Sequence, residues 1–341
     1  MKKTFKAAVL LELKKPLSIV ELYHQSPPEG TVKVKMITSG LCGAQVNEMS
    51  GKKGDDKYLP HLMGHEGYGE VVEIGLGVSK LKPGDHVILH WRPASGMSMP
   101  GIKYNSIDNV EIGAGPITTF SEYTIVAENR CSVINADEFI ALALPLLGCA
   151  VSTAYGAVVK EAQVRPGQDV LIYGAGGLGM ALLFWCKLLG IENVSVVDIH
   201  EGKRPQIEEF GGIFVHAKEA IKNNQYDVIF ETSGVVSNVE SSLNVARKSA
   251  KIVLIGQTGL GLPVKFENFL QFYDEITLIA STGGRFDPDE DLNIMYDLCA
   301  ENRVLFNSLI SHTIRLDQVN EGFELMKADN AKRVIINFRM D

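Results

Sequence analysis

The sequence predicts an α/β protein in two parts, a small antiparallel β-barrel followed by a doubly wound parallel sheet. Three observations carry that prediction. The chain has 341 residues, more than one ordinary core holds. Its first third consists of short β-branched runs separated by turn signals. Its middle third alternates short apolar strands with helical stretches, the pattern of a parallel sheet with crossover helices.

In the first part, strands are expected at 6–13, 31–38, 69–74 and 86–90. Between them lie Pro27-Pro28-Glu29-Gly30, Gly75-Leu76-Gly77 and Lys82-Pro83-Gly84-Asp85, all turn sequences. In the second part, strands are expected at 169–173, 193–198, 227–231, 251–256 and 277–281, each after the first preceded by a helical stretch. The segment after residue 289 has two helical stretches and ends in a strand at 332–338, read as chain returning to the first domain. The expected division is 1–150, completed by 283–341, and 151–282.

Composition narrows the function. Apolar residues make up 45% and charged residues 22%, which excludes disordered, collagenous and coiled-coil chains. The net charge of −8 argues against a nucleic-acid or anionic-membrane partner. Five widely spaced cysteines, Cys42, Cys131, Cys149, Cys186 and Cys299, do not make a disulfide framework. They suit a reducing compartment, and a cytoplasmic location is expected. Residues 1–16 are too quickly interrupted by charge for a secretory signal. Residues 139–159 carry no charge, but Pro145, Gly148 and Gly156 break the run, so a buried helix-turn-helix is expected there and not a membrane span.

One motif sits at a strand-to-helix junction. Tyr173 ends a strand, and Gly174-Ala175-Gly176-Gly177-Leu178-Gly179 opens a helix. In G-x-G-x-x-G the first glycine makes the turn and the second lets backbone approach a pyrophosphate. The third lets the helix pack on the strand, and the helix N-terminus attracts the phosphate charge. Asp198 ends the next strand, 19 residues past Gly179. A carboxylate there can accept both adenosine ribose hydroxyls and repels a 2′-phosphate, which favours NAD over NADP.

A second constellation is dispersed. Cys42 lies in Gly40-Leu41-Cys42-Gly43, His65 in Gly64-His65-Glu66-Gly67, and Cys149 in Leu147-Gly148-Cys149-Ala150. Two thiolates and an imidazole suit an open Zn²⁺ site, with a fourth position left for water or substrate. The spacing by itself leaves core cysteines as the alternative.

Taken in order, these pieces resemble the zinc-dependent medium-chain alcohol dehydrogenase family over nearly the whole chain. The resemblance rests on GLCG at 40–43, GHEGYGEVVEIG at 64–75, KPGDHVI at 82–88, TTFSEYTIV at 118–126 and LGCAVSTAYGA at 147–157. It continues through GAGGLG at 174–179, VVDI at 196–199, GG at 283–284 and NEGFELM at 320–326. It implies a GroES-like barrel domain and a Rossmann domain. It further implies one catalytic Zn²⁺ per chain on Cys42, His65 and Cys149, with Glu66 as alternate ligand. Trp91 is implied in the substrate pocket. Thr153, Ile255 and Gln257 are implied as nicotinamide-side contacts, and Arg333 as a cofactor-phosphate contact. The implied reaction is reversible hydride transfer between an alcohol carbon and NAD, giving an aldehyde or ketone, in a homodimer or homotetramer.

Two departures stand out. The lobe that holds a structural zinc in the family is here WRPASGMSMPGIKYNSIDNVEIGAG, residues 91–115, without a cysteine, so a second zinc is not expected. The hydroxyl residue that relays the alcohol proton is here Ala44, the relay histidine is Asn47, and Gln45 stands where an Asp steadies the zinc-bound His. Gln45 can still accept from His65, as an uncharged partner. His90 is a substitute relay or a structural histidine, while His61 and His86 have no partner readable from sequence. Cys131, Cys186 and Cys299 are expected in cores. Two other readings remain open, a polyol, cyclitol or sugar-derived alcohol dehydrogenase of the same fold, and a non-catalytic nucleotide-binding protein.

Overall fold

In the computed structural model, residues 3–52, 54–135, 138–219, 225–266, 269–327 and 331–340 are described. The chain divides into two compact units, Met1–Cys149 with Asp287–Asp341, and Ala150–Phe286.

The first unit is built on two sheets. One runs in the order Ser18–Tyr23, Thr4–Leu10, His61–Leu62, Glu111–Gly113, Lys103–Asn105. The other runs Cys131–Val133, His86–Leu89, Gly67–Ile74, Thr31–Gly40, Arg333–Asn337, Ile310–Ile314, with Tyr123–Ala127 also paired to Thr31–Gly40. Pairing is antiparallel except at His61↔Gly113 and between Ile310–Ile314 and Arg333–Asn337. Alternation explains the shorter strands. In Thr4–Leu10, Phe5, Ala7 and Val9 face a cluster with Leu22, Leu62, Tyr104 and Ile112, while Ala8 and Leu10 face another with Leu41, Phe120 and Val334. The strand Thr31–Gly40 is buried at every residue but Lys35, its edges paired with three strands and the 3₁₀ turn Leu144–Gly148 packed against it.

The second unit is a six-stranded parallel sheet ordered Ile213–His216, Val194–Asp198, Val170–Tyr173, Tyr226–Glu231, Ala246–Leu254, Thr277–Ala280. In chain order that is 3-2-1-4-5-6, the doubly wound arrangement, with its switch point at the end of Val170–Tyr173. The strand Ile213–His216 was absent from the sequence expectation. It is a four-residue edge with exposed Ile213, too short for a periodic signal.

Residues 139–159 do not form a helix-turn-helix. A 3₁₀ turn, Leu144–Gly148, breaks at Cys149, whose φ and ψ are −149° and −83°. The helix Ala150–Gly156 follows and widens into a π-turn over Ala157–Ala162. Pro145 sits in the first turn of that 3₁₀ segment, where proline is tolerated, and Gly148 ends it against the Leu89 carbonyl. The segment is buried apart from exposed Phe139 and Leu142 and a few part-exposed positions, and among the described residues no helix is long and apolar enough to cross a membrane.

Candidate functional site

Three separate turns of the first unit bring Cys42, His65 and Cys149 together. Cys42 follows Thr31–Gly40 and caps the short helix Gly43–Met49. His65 lies between His61–Leu62 and Gly67–Ile74, and Cys149 closes the turn Leu144–Gly148. The two sulfurs and a ring nitrogen lie within 4.8 Å of one another, each residue part-exposed. Two of the flanking glycines are required by packing. A Cβ on Gly40 would stand 2.4 Å from Glu66 Oε1, and one on Gly148 would stand 2.3 Å from the Leu89 carbonyl oxygen. Backbone therefore approaches closely where the three turns converge.

The electrostatics suit a metal. A hydrogen bond from the Cys149 thiol, helped by His65, holds the Cys42 thiol well below its usual range against the opposing effect of desolvation. The Cys149 thiol, as donor to Cys42, is pushed well above its usual range, with burial and the nearby Glu66 acting the same way. Desolvation would lower His65, but the Cys42 thiolate outweighs it and the imidazole is raised. Two sulfurs and one imidazole are a borderline-soft donor set that fits Zn²⁺, with ligand protons released on binding.

Glu66 stands beside this cluster and is fully buried. Its carboxylate accepts from the Arg333 guanidinium, itself 4% exposed. Desolvation works against the Arg333 charge, but Glu66, then Cys42 and Cys149, hold its pKa above the usual value. The residue expected at a cofactor phosphate is thus paired with Glu66.

Gln45 does not steady His65. Its Oε1 accepts from the Cys42 backbone N–H at 2.8 Å, and its buried Nε2 has no partner among the described residues. His90 is structural. Its Nδ1–H donates to the Arg92 carbonyl at 2.5 Å, and Nε2 accepts from the Ser132 hydroxyl at 2.9 Å. Burial lowers its pKa to about 4, so both nitrogens are committed and no relay runs through it. Trp91 is part-exposed, its backbone N–H donating to the Gly148 carbonyl at 3.3 Å, one residue from Cys149.

The lobe without cysteines is held by two carboxylates that sequence reasoning missed. Buried Glu128 accepts from the backbone N–H groups of Ser79 at 2.7 Å, Lys80 at 2.6 Å and Met97 at 3.0 Å. Asp289 accepts from the Ser95 N–H at 2.5 Å. Cys131, Cys186 and Cys299 are buried and their thiols are raised by burial, consistent with core packing.

In the second unit, Val170–Tyr173 ends at Gly174, whose φ is +95°. A Cβ on Gly179 would stand 1.8 Å from the Gly174 carbonyl oxygen, so the helix Gly177–Leu188 packs on the loop only with glycine there. A Cβ on Gly176, the cap of that helix, would meet nothing within 4 Å. Protein packing demands one glycine and leaves open space over the other, the arrangement a pyrophosphate needs. Asp198 accepts from the Ala175 N–H at 2.8 Å and the His200 N–H at 2.9 Å, which fixes its carboxylate at the rim of that loop. Leu178 is part-exposed in the helix's first turn, and Thr153 is buried in Ala150–Gly156.

Ile255 and Gln257 follow Ala246–Leu254. Buried Glu231 organises their surroundings. Its carbonyl accepts from the N–H groups of Ile255 at 2.9 Å and Gly256 at 2.8 Å, and its carboxylate from Ser233 and Gly234. Burial raises its pKa, with those bonds opposing. No motif in the sequence marks it.

Comparison with known proteins agrees with both units. The family profile described as alcohol dehydrogenase GroES-like domain matches residues 28–136, and the one described as zinc-binding dehydrogenase matches 177–301. Alcohol dehydrogenase 6 of Peromyscus maniculatus is 28% identical over 367 residues, covering 97% of each protein. An alcohol dehydrogenase zinc-binding domain protein from Burkholderia ambifaria superimposes with a TM-score of 0.89 at 21% identity, covering 99% of both chains. Benzyl alcohol dehydrogenase from Acinetobacter calcoaceticus gives 0.86 at 20% identity, covering 98% of this chain and 99% of the other. At such identities the superpositions establish the fold. The two profiles together match more than half of the sequence, and the chain belongs to the zinc-dependent medium-chain alcohol dehydrogenase family.

Proposed function

We propose that this chain oxidises an alcohol to an aldehyde or ketone, reversibly, with Cys42, His65 and Cys149 holding the catalytic zinc. The convergence of these three ligand atoms within 4.8 Å carries the reading. Zinc bound there supplies a Lewis acid for a substrate oxygen. NAD bound to the glycine loop would supply the hydride acceptor, so that oxidation of the alcohol by two electrons would release one proton.

The chain's own residues divide the remaining work. Gly174, Gly176, Gly177, Leu178 and Gly179 form the pyrophosphate cradle, and Asp198 accepts the ribose hydroxyls and disfavours a 2′-phosphate. Thr153, Ile255 and Gln257 would hold the nicotinamide side of the cofactor, the latter two from a loop held by Glu231. Trp91, tied to Gly148, lines the pocket for the substrate carbon skeleton. Glu66 is the alternate ligand, held back by Arg333. Ala44 and Asn47 cannot pass a proton, and both ring nitrogens of His90 are engaged. The substrate proton therefore leaves to water at the part-exposed cluster.

The enzyme works as a homodimer or homotetramer in a reducing, cytoplasmic setting. The five cysteines, none of them in a disulfide, and the exposed edge strand Thr277–Ala280 support that reading. The test is Cys42→Ser, assayed with an alcohol and aldehyde panel and NADH titration. Turnover should vanish while NADH affinity stays within about threefold, about 0.7 kcal/mol. Turnover near wild type would sink the zinc assignment.

A further inference from the structure

His61 had no partner readable from sequence, and the structure supplies two. Its Nε2 lies 2.9 Å from Asp56 Oδ2 and 3.9 Å from Glu48 Oε1. The ligand atoms of Glu48, Asp56 and His61 lie within 4.8 Å of one another. Glu48 comes from the helix Gly43–Met49, which begins directly after Cys42. His61 opens the strand His61–Leu62, four residues before His65. None of the three belongs to the Cys42–His65–Cys149 group.

The atoms pointing away from this focus are already anchored. His61 Nδ1 lies 2.8 Å from the Leu62 carbonyl oxygen, which can only accept, so Nδ1 carries the hydrogen. In a neutral imidazole Nε2 is then a lone pair, facing a carboxylate oxygen at 2.9 Å. Two acceptors at that distance require a positive species between or upon them, either a proton or a metal cation. A histidine that donates its far N–H to a backbone carbonyl is the usual supporting arrangement for a metal ligand. Asp56 is held the same way, its Oδ1 accepting from the Tyr58 N–H at 2.9 Å while Oδ2 faces His61. The side chain of His61 is 10% exposed, that of Asp56 15% and that of Glu48 36%, so the focus is sheltered yet open on the Glu48 side.

We propose that Glu48, Asp56 and His61 form a second divalent-cation site, suited to zinc, that ties the segment after Cys42 to the segment before His65. One imidazole and two carboxylates fit a first-row ion, and water completes the coordination on the open side. The site lies outside the cysteine-free lobe. It would join two of the turns that carry the catalytic ligands.

The experiment loads the full-length protein with zinc and counts metal after removal of free ion. Wild type should hold about two zinc ions per chain, and Glu48→Gln and Asp56→Asn about one. Each variant should weaken the second site by at least about tenfold, the lower end of what even a supporting-residue change costs. Glu48 is the safer variant for folding, because among the described residues its part-exposed side chain makes only the long contact to His61. Cobalt loading separates the centres, because only the cysteine centre gives a thiolate-to-metal charge-transfer band. That band should persist in both variants. In Cys42→Ser the second site should still take about one zinc, lost again on adding Glu48→Gln. One zinc per saturated wild-type chain would mean that His61 and Asp56 share only a proton, and would overturn the proposal. A second zinc unaffected by Glu48→Gln and Asp56→Asn would overturn it as well.

Discussion

The guanidinium of Arg333 and the carboxylate of Glu66 form a buried ion pair beside Cys42 and Cys149, joining residues 267 positions apart. Arg333 lies on the strand that crosses from the C-terminal tail to pair with Thr31–Gly40. The pair therefore links the tail to the candidate metal centre. Removing one partner leaves a buried charge uncompensated, which costs about 3–5 kcal/mol. Arg333→Met should lower stability by that order in urea unfolding and reduce zinc retention. Adding Glu66→Gln to it should recover much of the loss. No recovery in the double variant would mean that the two residues act independently.

The glycine loop allows a contrast between two alanine variants. Gly179→Ala places a methyl 1.8 Å from the Gly174 carbonyl oxygen, so the helix must shift and folding suffers. Gly176→Ala places its methyl in open space, at φ −72° and ψ −174°, which alanine tolerates. Gly176→Ala should melt with wild type yet bind NADH about tenfold more weakly, about 1.4 kcal/mol. Unchanged NADH affinity would place the pyrophosphate elsewhere.

How far the sequence reached follows from the range of each signal. The parallel sheet and the glycine loop were legible because strand, turn, helix and acid lie within about thirty residues of one another. Cys42, His65 and Cys149 were suggested by residue type, but only the resemblance joined them, since their convergence depends on three separate turns. Glu128, Glu231 and the Arg333–Glu66 pair were not legible. Glu128 and the Arg333–Glu66 pair depend on partners far along the chain, and the Glu231 carboxylate, though bonded to nearby Ser233 and Gly234, carries no sequence motif. His61 shows the same limit, because Asp56 lies close in sequence but only the turn geometry aims it at Nε2.

His90 gives a pH prediction. Burial lowers its folded pKa to about 4 from an ordinary 6.5. The unfolded chain thus takes up the proton first as pH falls. The stability this neutral histidine contributes is intact above pH 6.5 and drains between 6.5 and about 4, about 3 kcal/mol in total. His90→Asn should be less stable at pH 7.5 and should show a flatter loss of stability over that window, measured by urea unfolding at each pH. The pH profile of kcat should keep its shape, since no proton passes through His90. A changed kcat profile would restore the relay.

Glu128 ties the cysteine-free lobe to the turn at Ser79 and Lys80. Its carboxylate holds three backbone N–H groups, those of Ser79 and Lys80 on one side and Met97 on the other. Desolvation pushes against its charge, but these bonds win and its pKa lies below the ordinary 4.5. Its contribution is therefore complete above pH 4.5 and disappears only as pH falls through the lower folded value. Glu128→Gln keeps the shape but exchanges one acceptor oxygen for an NH₂ group facing an N–H. The expected cost is about 2 kcal/mol at neutral pH, the range for hydrogen bonds to a charged group. Residues 92–99 should then exchange amide hydrogens faster, with the protons on Ser79, Lys80 and Met97 most affected. The metal content should stay the same, because the anchor is a carboxylate and not an ion. A loss of zinc on Glu128→Gln would show instead that this lobe and the cysteine centre are mechanically coupled.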